Sequence, residues 1–137
     1  MPRIKSIAPE FLVADITKAA EHYRDRLGFR IIRYVLDDPT AFAMIGRDDH
    51  IMMLSLAKNG RGGSNRRHKS EAIDAYVWVD DVDALHDEFA QNGADIMMPP
   101  THRVYGTKEI EVRDLDGYVL CFGQEMASRR PAGQSAV

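Results

Sequence analysis

The chain has 137 residues, with 45% hydrophobic and 28% charged positions and a net charge of −3. This length supports one domain, and no apolar run approaches the ~20 residues needed to cross a bilayer. The N-terminus lacks the apolar segment of a secretory signal, and a single cysteine excludes an intrachain disulfide. Because the net charge gives no general attraction to nucleic acid, we expect a soluble cytoplasmic protein without nucleic-acid or membrane partners.

The first half of the chain predicts a strand, a helix and three further strands. Apolar alternation predicts a strand over 7–14, after which Asp15 can cap the first helical turn with its carboxylate. An apolar stripe at helical spacing runs from Ile16 to Leu27, and Gly28 ends the helix because glycine adopts the left-handed conformation readily. Further strands are predicted over 30–36, 41–45 and 51–56, joined by turns at 37–40 and 46–49.

A segment rich in glycine and arginine follows the fourth strand. Residues 59–70 contain no aliphatic side chain, which predicts a flexible linker over 58–72. Two interpretations of this linker remain open. It is either a solvated connector or an anion-binding lid that uses Arg61, Arg66, Arg67, His68 and Lys69.

The second half repeats the order of elements. A strand over 75–79 precedes a helix over 82–92, and a strand over 94–98 is stopped by Pro99 and Pro100. A hairpin then joins strands over 108–113 and 118–122 around the turn-forming segment 114–117. The tail from Ser128 has no periodicity, and we expect it to be disordered.

An internal repeat relates the two halves. The copies align at three pairs of positions: Asp15 with Asp81, Tyr23 with Phe89, and Gly28 with Gly93. A repeat constrains the architecture, because each half must cover one face of a sheet and the two halves leave a concavity between them. The resulting division of one structural domain is a first module over 1–57, the linker over 58–72, a second module over 73–125 and a tail over 126–137.

Three groups of residues carry a family resemblance over about residues 5 to 125. They are Val13-Ala14-Asp15 leading to 23–29, Val79-Asp80-Asp81 leading to 92–94, and Tyr105-Gly106 leading to 113–118. In this order they resemble the glyoxalase/bleomycin-resistance/dioxygenase, or vicinal oxygen chelate, superfamily, which usually has proline where Leu115 stands. The resemblance implies an α+β fold in which tandem β-α-β-β-β modules form a cupped mixed sheet, often in a homodimer.

The resemblance also implies where a metal ion would bind. Metal-dependent relatives place His or Gln, Glu, His and Glu on the first, fourth, fifth and eighth strands, and the matching positions here are Ala8, Ser55, Asp74 and Cys121. Alanine cannot coordinate, and a catalytic divalent site needs about three protein ligands. We therefore expect no metal and no cofactor. The alternative is a metal-dependent lyase, isomerase or dioxygenase with unorthodox ligands, drawn from Glu10, His50, Asp74 and Glu111.

Strand alternation together with these positions predicts the residues that face the cavity. The candidate ligand-binding residues are Glu10, Leu12, Met53, Tyr76, Trp78, His102, Tyr105, Glu109, Glu111 and Cys121. The aromatic rings can stack on a planar group or hold a cation, and the carboxylates can pair with positive charge. Competing interpretations pair the carboxylates with Arg113, Lys108 or Arg33, or place Trp78 in a dimer interface.

Three functions remain open at this point. The favoured one is metal-independent sequestration of an aromatic or cationic organic ligand, as in bleomycin-resistance proteins, with no catalytic residue. The second is the metal-dependent enzyme described above. The third is an interaction module whose cavity is filled by its own side chains.

Overall fold

The computed structural model describes residues 1–35, 40–60 and 62–126. Leu36, most of the turn predicted at 37–40, Arg61 and the tail from Ser128 lie outside the described residues. Within the described chain, no helix has the length and apolar character required to cross a membrane.

The first module contains one helix and a four-stranded sheet. Its elements are β1 (Glu10–Val13), α1 (Ile16–Leu27), β2 (Arg30–Val35), β3 (Phe42–Arg47) and β4 (His50–Leu56). The strand order is β1-β4-β3-β2, with β1 parallel to β4 and the other pairs antiparallel. This is the β-α-β-β-β unit predicted for the first half.

The second module repeats this arrangement. Its elements are β5 (Ala75–Trp78), α2 (Val82–Gln91), β6 (Asp95–His102), β7 (Thr107–Arg113) and β8 (Val119–Glu125), in the sheet order β5-β8-β7-β6. The predicted α+β fold of tandem modules is confirmed. Its eight strands form two separate four-stranded sheets, in which β1 and β5 are edge strands.

The repeated residues mark equivalent helix boundaries. The carboxylates of Asp15 and Asp81 each accept a hydrogen bond from the backbone N–H three residues on, at 2.9 and 3.0 Å. Beyond the helices, Gly28 and Gly93 have φ angles of 70° and 76°. Side chains reach these left-handed angles only with strain, so glycine suits both positions.

The strand β6 differs from its prediction. It was expected to stop at Pro99 and Pro100, but it continues to His102 with register shifts at Met98 and Thr101. Because β6 is an edge strand, one side of its backbone has no ladder partner, and proline without an N–H is tolerated there. His102 therefore lies in a strand and not in the predicted loop.

The two modules share one hydrophobic core. The Phe11 and Tyr118 rings, one from each module, stack with centroids 4.3 Å apart and planes 13° from parallel. The Tyr23 hydroxyl on α1 donates to Asp114 in the β7–β8 turn at 2.6 Å. Leu56 is 38% exposed because it is the last residue of β4.

A charged pair joins the modules on the other side. Arg47, at the end of β3, donates to both carboxylate oxygens of Glu88 on α2, at 2.6 and 2.8 Å. The Arg47 side chain is 28% exposed and the Glu88 side chain 39%. This bidentate pair connects the β3–β4 turn of one module to the helix of the other.

Candidate functional site

The second sheet separates apolar from polar side chains on its two faces. On β7, Ile110 and Val112 are fully buried in the core, whereas Glu109 and Glu111 alternate with them and point to the opposite face. We call this opposite face, which points away from α2, the open face of the second sheet. Cross-strand register places Tyr76 beside Cys121, and Cys121 beside Glu111, on that face.

Glu109 is the centre of a hydrogen-bond network on the open face. It is 2% exposed and accepts from the Tyr76 hydroxyl at 2.7 Å, the Tyr105 hydroxyl at 2.8 Å and the Thr107 hydroxyl at 2.9 Å. Burial alone would raise the pKa of Glu109, but these donors and the Cys121 thiol outweigh burial and hold the pKa below its ordinary value. The carboxylate is therefore a buried anion at neutral pH.

Gly123 makes room for this network. It pairs with Glu109 across the β7–β8 ladder, and a Cβ added to it would lie 1.8 Å from the Tyr76 Oη atom. The absence of a side chain lets the Tyr76 ring cross β8 and reach β7. Sequence reasoning missed Gly123, although an isolated glycine in a strand is a sign of close approach by another group.

Aromatic rings border the network. Trp78 is 65% exposed, and its ring centroid lies 4.8 Å from that of Tyr76 at an interplanar angle of 58°. Tyr105 is 62% exposed, and the Arg103 guanidinium lies 5.9 Å from its ring centre and 3.7 Å from Glu109. Burial and the hydrogen bond to Glu109 raise the pKa of Tyr76, so its hydroxyl keeps its proton.

Glu111 is paired with an arginine from the linker over 58–72, which we call the connector between the modules. The Arg66 Nη2 atom lies 3.1 Å from Glu111 Oε1, and the two side chains are 23% and 18% exposed. The alternative partners considered from sequence lie elsewhere: Arg113 pairs with Asp95, Lys108 pairs with Asp83, and Arg33 is on β2 of the first sheet. The connector therefore contributes a side chain to the open face.

Asp74 anchors that connector. Its carboxylate accepts from the Ser64 hydroxyl at 2.5 Å, the Asn65 N–H at 2.7 Å and the Val119 N–H at 2.8 Å. A further hydrogen bond runs from the Gly63 N–H to the Tyr118 hydroxyl at 3.0 Å. The Asp74 oxygens are thus engaged in holding the chain that leads to Arg66.

The residues at the family's metal-ligand positions do not fit a metal ion. Ala8 has no donor atom, and the Asp74 oxygens already accept three hydrogen bonds. Cys121 is 2% exposed, and burial, followed by the charge of Glu109, raises the pKa of its thiol to about 12, so it is not a thiolate at neutral pH. Among the described residues, no group of three His, Cys, Asp or Glu side chains gathers at a potential metal site.

The other candidate residues lie apart from the Glu109 network. Glu10, Leu12 and Met53 occupy the exposed face of the first sheet, where Glu10 pairs in register with Met53. His102 pairs in register with Lys108, whose ammonium reaches Asp83 on α2 at 2.8 Å. Directly paired residues point to the same face, so His102 lies on the helix side and is not a cavity residue.

A groove of about 760 Å³ runs along the free edge of β5, between the modules. Its walls are mainly apolar, and Arg47 and Glu88 form part of its lining. The internal repeat predicted a concavity between the two halves, but not which residues line it, because they come from both modules and meet only in the folded chain. Its apolar lining includes Pro9, Ile51, Trp78, Leu85 and Phe122.

Comparison with known structures supports the same fold. TioX from Micromonospora sp. ML1 has 21% identity and a TM-score of 0.64, with 92% of this chain and 100% of that chain covered. A glyoxalase-related enzyme from Clostridium phytofermentans has 15% identity and a TM-score of 0.75, with 91% and 98% covered. A glyoxalase/bleomycin resistance protein/dioxygenase from Nocardioides has 15% identity and a TM-score of 0.67, with 98% and 93% covered.

At these identities the similarity shows the fold alone, and no curated protein sequence matches the chain. Residues 3–122 match the family model described as Glyoxalase/Bleomycin resistance protein/Dioxygenase superfamily. That match spans both modules and the connector between them. The chain belongs to the glyoxalase/bleomycin resistance protein/dioxygenase superfamily.

Proposed function

We propose that this protein binds and sequesters a small organic cation with an apolar or aromatic body, without a metal ion. The proposed site is the open face of the second sheet. The observation that carries the proposal is the direction of the hydrogen bonds around Glu109. A hydroxyl has one proton, and those of Tyr76, Tyr105 and Thr107 are all donated to the same carboxylate.

The tyrosine oxygens can therefore accept a hydrogen bond from a ligand but cannot donate one. A neighbouring N–H group can donate to those oxygens, and a positive charge is attracted both by the buried anion and by the ring faces. The protein's own guanidinium groups already lie here: Arg66 is 3.1 Å from Glu111, and Arg103 is 3.7 Å from Glu109. The face therefore attracts cations of the protein itself, which supports a cationic ligand.

The same network disfavours catalysis by these side chains. The Cys121 thiol is protonated at neutral pH, and Tyr76 holds its proton more tightly than a free phenol does. Glu109 is ionised, but its oxygens accept from surrounding hydroxyls and are not free to take a proton from a substrate. These properties support binding over chemical conversion of the ligand.

The second candidate function is a metal-dependent lyase, isomerase or dioxygenase. One structural relative is named a glyoxalase-related enzyme, and that name is what favours this candidate. Elemental analysis of protein purified without chelator separates the two. Our proposal predicts no stoichiometric iron, nickel, manganese or zinc, and ligand affinity that is unchanged after dialysis against a chelator. Stoichiometric metal that restores lost binding would contradict it.

We further propose that the protein acts as a cytoplasmic homodimer. The exposed face of the first sheet carries Leu12 and Val35, which are 44% and 39% exposed, together with half-buried Met53. A second copy seated there would cover these residues and Glu10, which lies on the same face. Light scattering should give a dimer mass, and Leu12→Glu should give a monomer. A monomeric wild-type protein would contradict this assembly.

A further inference from the structure

The connector places one charged side chain on the proposed site. Arg66 donates through Nη2 to Glu111 at 3.1 Å and through Nε to the Ala72 carbonyl at 3.0 Å. Both members of the ion pair are less than a quarter exposed. The side chain of its neighbour Arg67 is exposed, and among the described residues it donates only to the Gly62 carbonyl, at 3.4 Å. Two adjacent arginines of the same segment therefore have very different surroundings.

Glu111 lies next to the centre of the proposed site. It follows Glu109 by two positions on β7, which puts the two side chains on one face about 7 Å apart. In register it lies beside Cys121, which lies beside Tyr76. A ligand that covers Tyr76 and the Glu109 network therefore has Glu111 within reach of its cationic group.

We propose that Arg66 is a specificity-determining residue, which occupies the cation-binding position at Glu111 until a ligand cation replaces it. This inference rests on the proposed function. A cation that bears N–H groups can remake the hydrogen bond that Arg66 gives up, whereas a quaternary ammonium cannot. The site should therefore prefer primary ammonium, amidinium or guanidinium groups over quaternary ammonium groups.

The connector is built so that Arg66 can leave without the segment detaching. Its anchors are the contacts of Ser64 and Asn65 with Asp74, and of Gly63 with Tyr118. Neither anchor involves Glu111, so the exchange at Glu111 requires a change of Arg66 rotamer that gives up its hydrogen bonds to Glu111 and to the Ala72 carbonyl. Arg66 thus competes for Glu111 with every cationic ligand that binds there.

The test measures binding of 1-naphthylmethylammonium through the indole N–H signal of Trp78, the single tryptophan. Arg66→Gln should tighten binding roughly fivefold, since one partly screened charge-assisted hydrogen bond no longer competes. Arg67→Gln is the matched control, with the same loss of charge in the same segment, and should bind as the wild type does. Adding Glu111→Gln to Arg66→Gln should abolish the gain.

The outcomes separate this inference from the proposed function. Wild-type binding with equal affinities for Arg66→Gln and Arg67→Gln would overturn the role of Arg66 and leave the proposed function standing. Failure of both the wild type and Arg66→Gln to bind the probe would overturn both. Arg66→Lys, which keeps the charge on a shorter side chain without the planar guanidinium, is a second test variant. It should bind the probe more tightly than the wild type but less tightly than Arg66→Gln, and wild-type affinity would count against the proposal.

Discussion

The Tyr76 hydroxyl occupies the space that a side chain at Gly123 would need. An added Cβ at position 123 would lie 1.8 Å from Tyr76 Oη and 2.5 Å from Cζ, far inside van der Waals contact. The ring passes over β8 at this point, and its hydroxyl donates to Glu109 on the next strand. The binding face that we propose thus depends on the absence of a side chain at Gly123.

Gly123→Ala is therefore expected to displace Tyr76 and break its hydrogen bond to Glu109. We expect a loss of about 1–3 kcal/mol in the free energy of unfolding, because the overpacked ring must move and a buried carboxylate loses a donor. The check is a double-mutant cycle by urea denaturation. In the background of Tyr76→Ala the same glycine substitution should cost far less, and equal costs in both backgrounds would show that the ring is not what fills this space.

Tyr76→Phe removes one donor from Glu109 and leaves the ring in place. At neutral pH we expect a loss of about 1 kcal/mol in the free energy of unfolding. The pKa of Glu109 is lowered in the folded state. The ionised Glu109 carboxylate therefore stabilises the fold above pH 4.5, its ordinary pKa, and this stabilisation is lost as the pH falls through the folded pKa.

The difference between the wild type and Tyr76→Phe should therefore narrow as the pH falls below 4.5. Urea denaturation, followed by far-ultraviolet circular dichroism at several pH values, measures this difference in the free energy of unfolding. Tyr34→Phe is the control, since within the described residues the Tyr34 hydroxyl makes no hydrogen bond. A constant difference across the acid range would contradict the role given to Glu109.

Asp114 should make stability depend on pH in the opposite direction. Burial raises the pKa of Asp114 from 3.8 to about 6, although the Tyr23 hydroxyl and two backbone N–H groups favour its ionised form. Between these values the folded protein keeps a proton that the unfolded chain has released, so stability falls as the pH rises toward 6. The change is roughly 3 kcal/mol at most for a two-unit shift.

Asp114→Asn should remove this dependence. The amide oxygen can still accept from the backbone, and its NH₂ group can donate to the Tyr23 oxygen. We expect the free energy of unfolding of the variant to increase relative to that of the wild type as the pH rises from 4 to 7. A wild type and variant with parallel stability curves over this range would mean that Asp114 titrates at its ordinary value.

Glu88→Gln should weaken the attachment between the modules. Arg47 holds the pKa of Glu88 below its ordinary value through their hydrogen bonds, although Glu88 is more than a third exposed and solvent screens the pair. We expect a loss of about 1 kcal/mol in the free energy of unfolding. Asp25→Asn weakens the more exposed pair with Arg24, whose side chains are 49% and 55% exposed and which lies within one helix, and should leave stability unchanged. Equal effects of the two substitutions would contradict the inter-module role of Glu88.

The sequence predicted the features that depend on local geometry. Asp15 and Asp81 cap their helices because the carboxylate and the amide it accepts from are three residues apart. Tyr76, Glu109 and Glu111 fall on one face because side chains alternate along every strand. A proline pair, by contrast, did not stop β6, because its effect depends on the strand's position at the edge of the sheet.

The partners of the charged residues could not be predicted. Glu109 was a candidate ligand-binding residue, with Arg113, Lys108 and Arg33 as competing partners, but it is buried, accepts hydrogen bonds from hydroxyl groups and lies 3.7 Å from Arg103. Arg66 comes from a segment whose composition indicated a flexible linker, yet it pairs with Glu111. The Arg66–Glu111 and Tyr76–Glu109 contacts join positions 45 and 33 residues apart, and no local pattern encodes them.

The most direct test of the central claim is the preference of the open face for positive charge. Three compounds of similar shape, 1-naphthylmethylammonium, 1-naphthylmethanol and 1-naphthylacetate, should be titrated into the protein while the Trp78 indole signal is followed. Our account predicts saturable binding of the ammonium compound, weaker binding of the alcohol and little or none of the carboxylate. Equal affinities for all three, or a preference for the carboxylate, would contradict it.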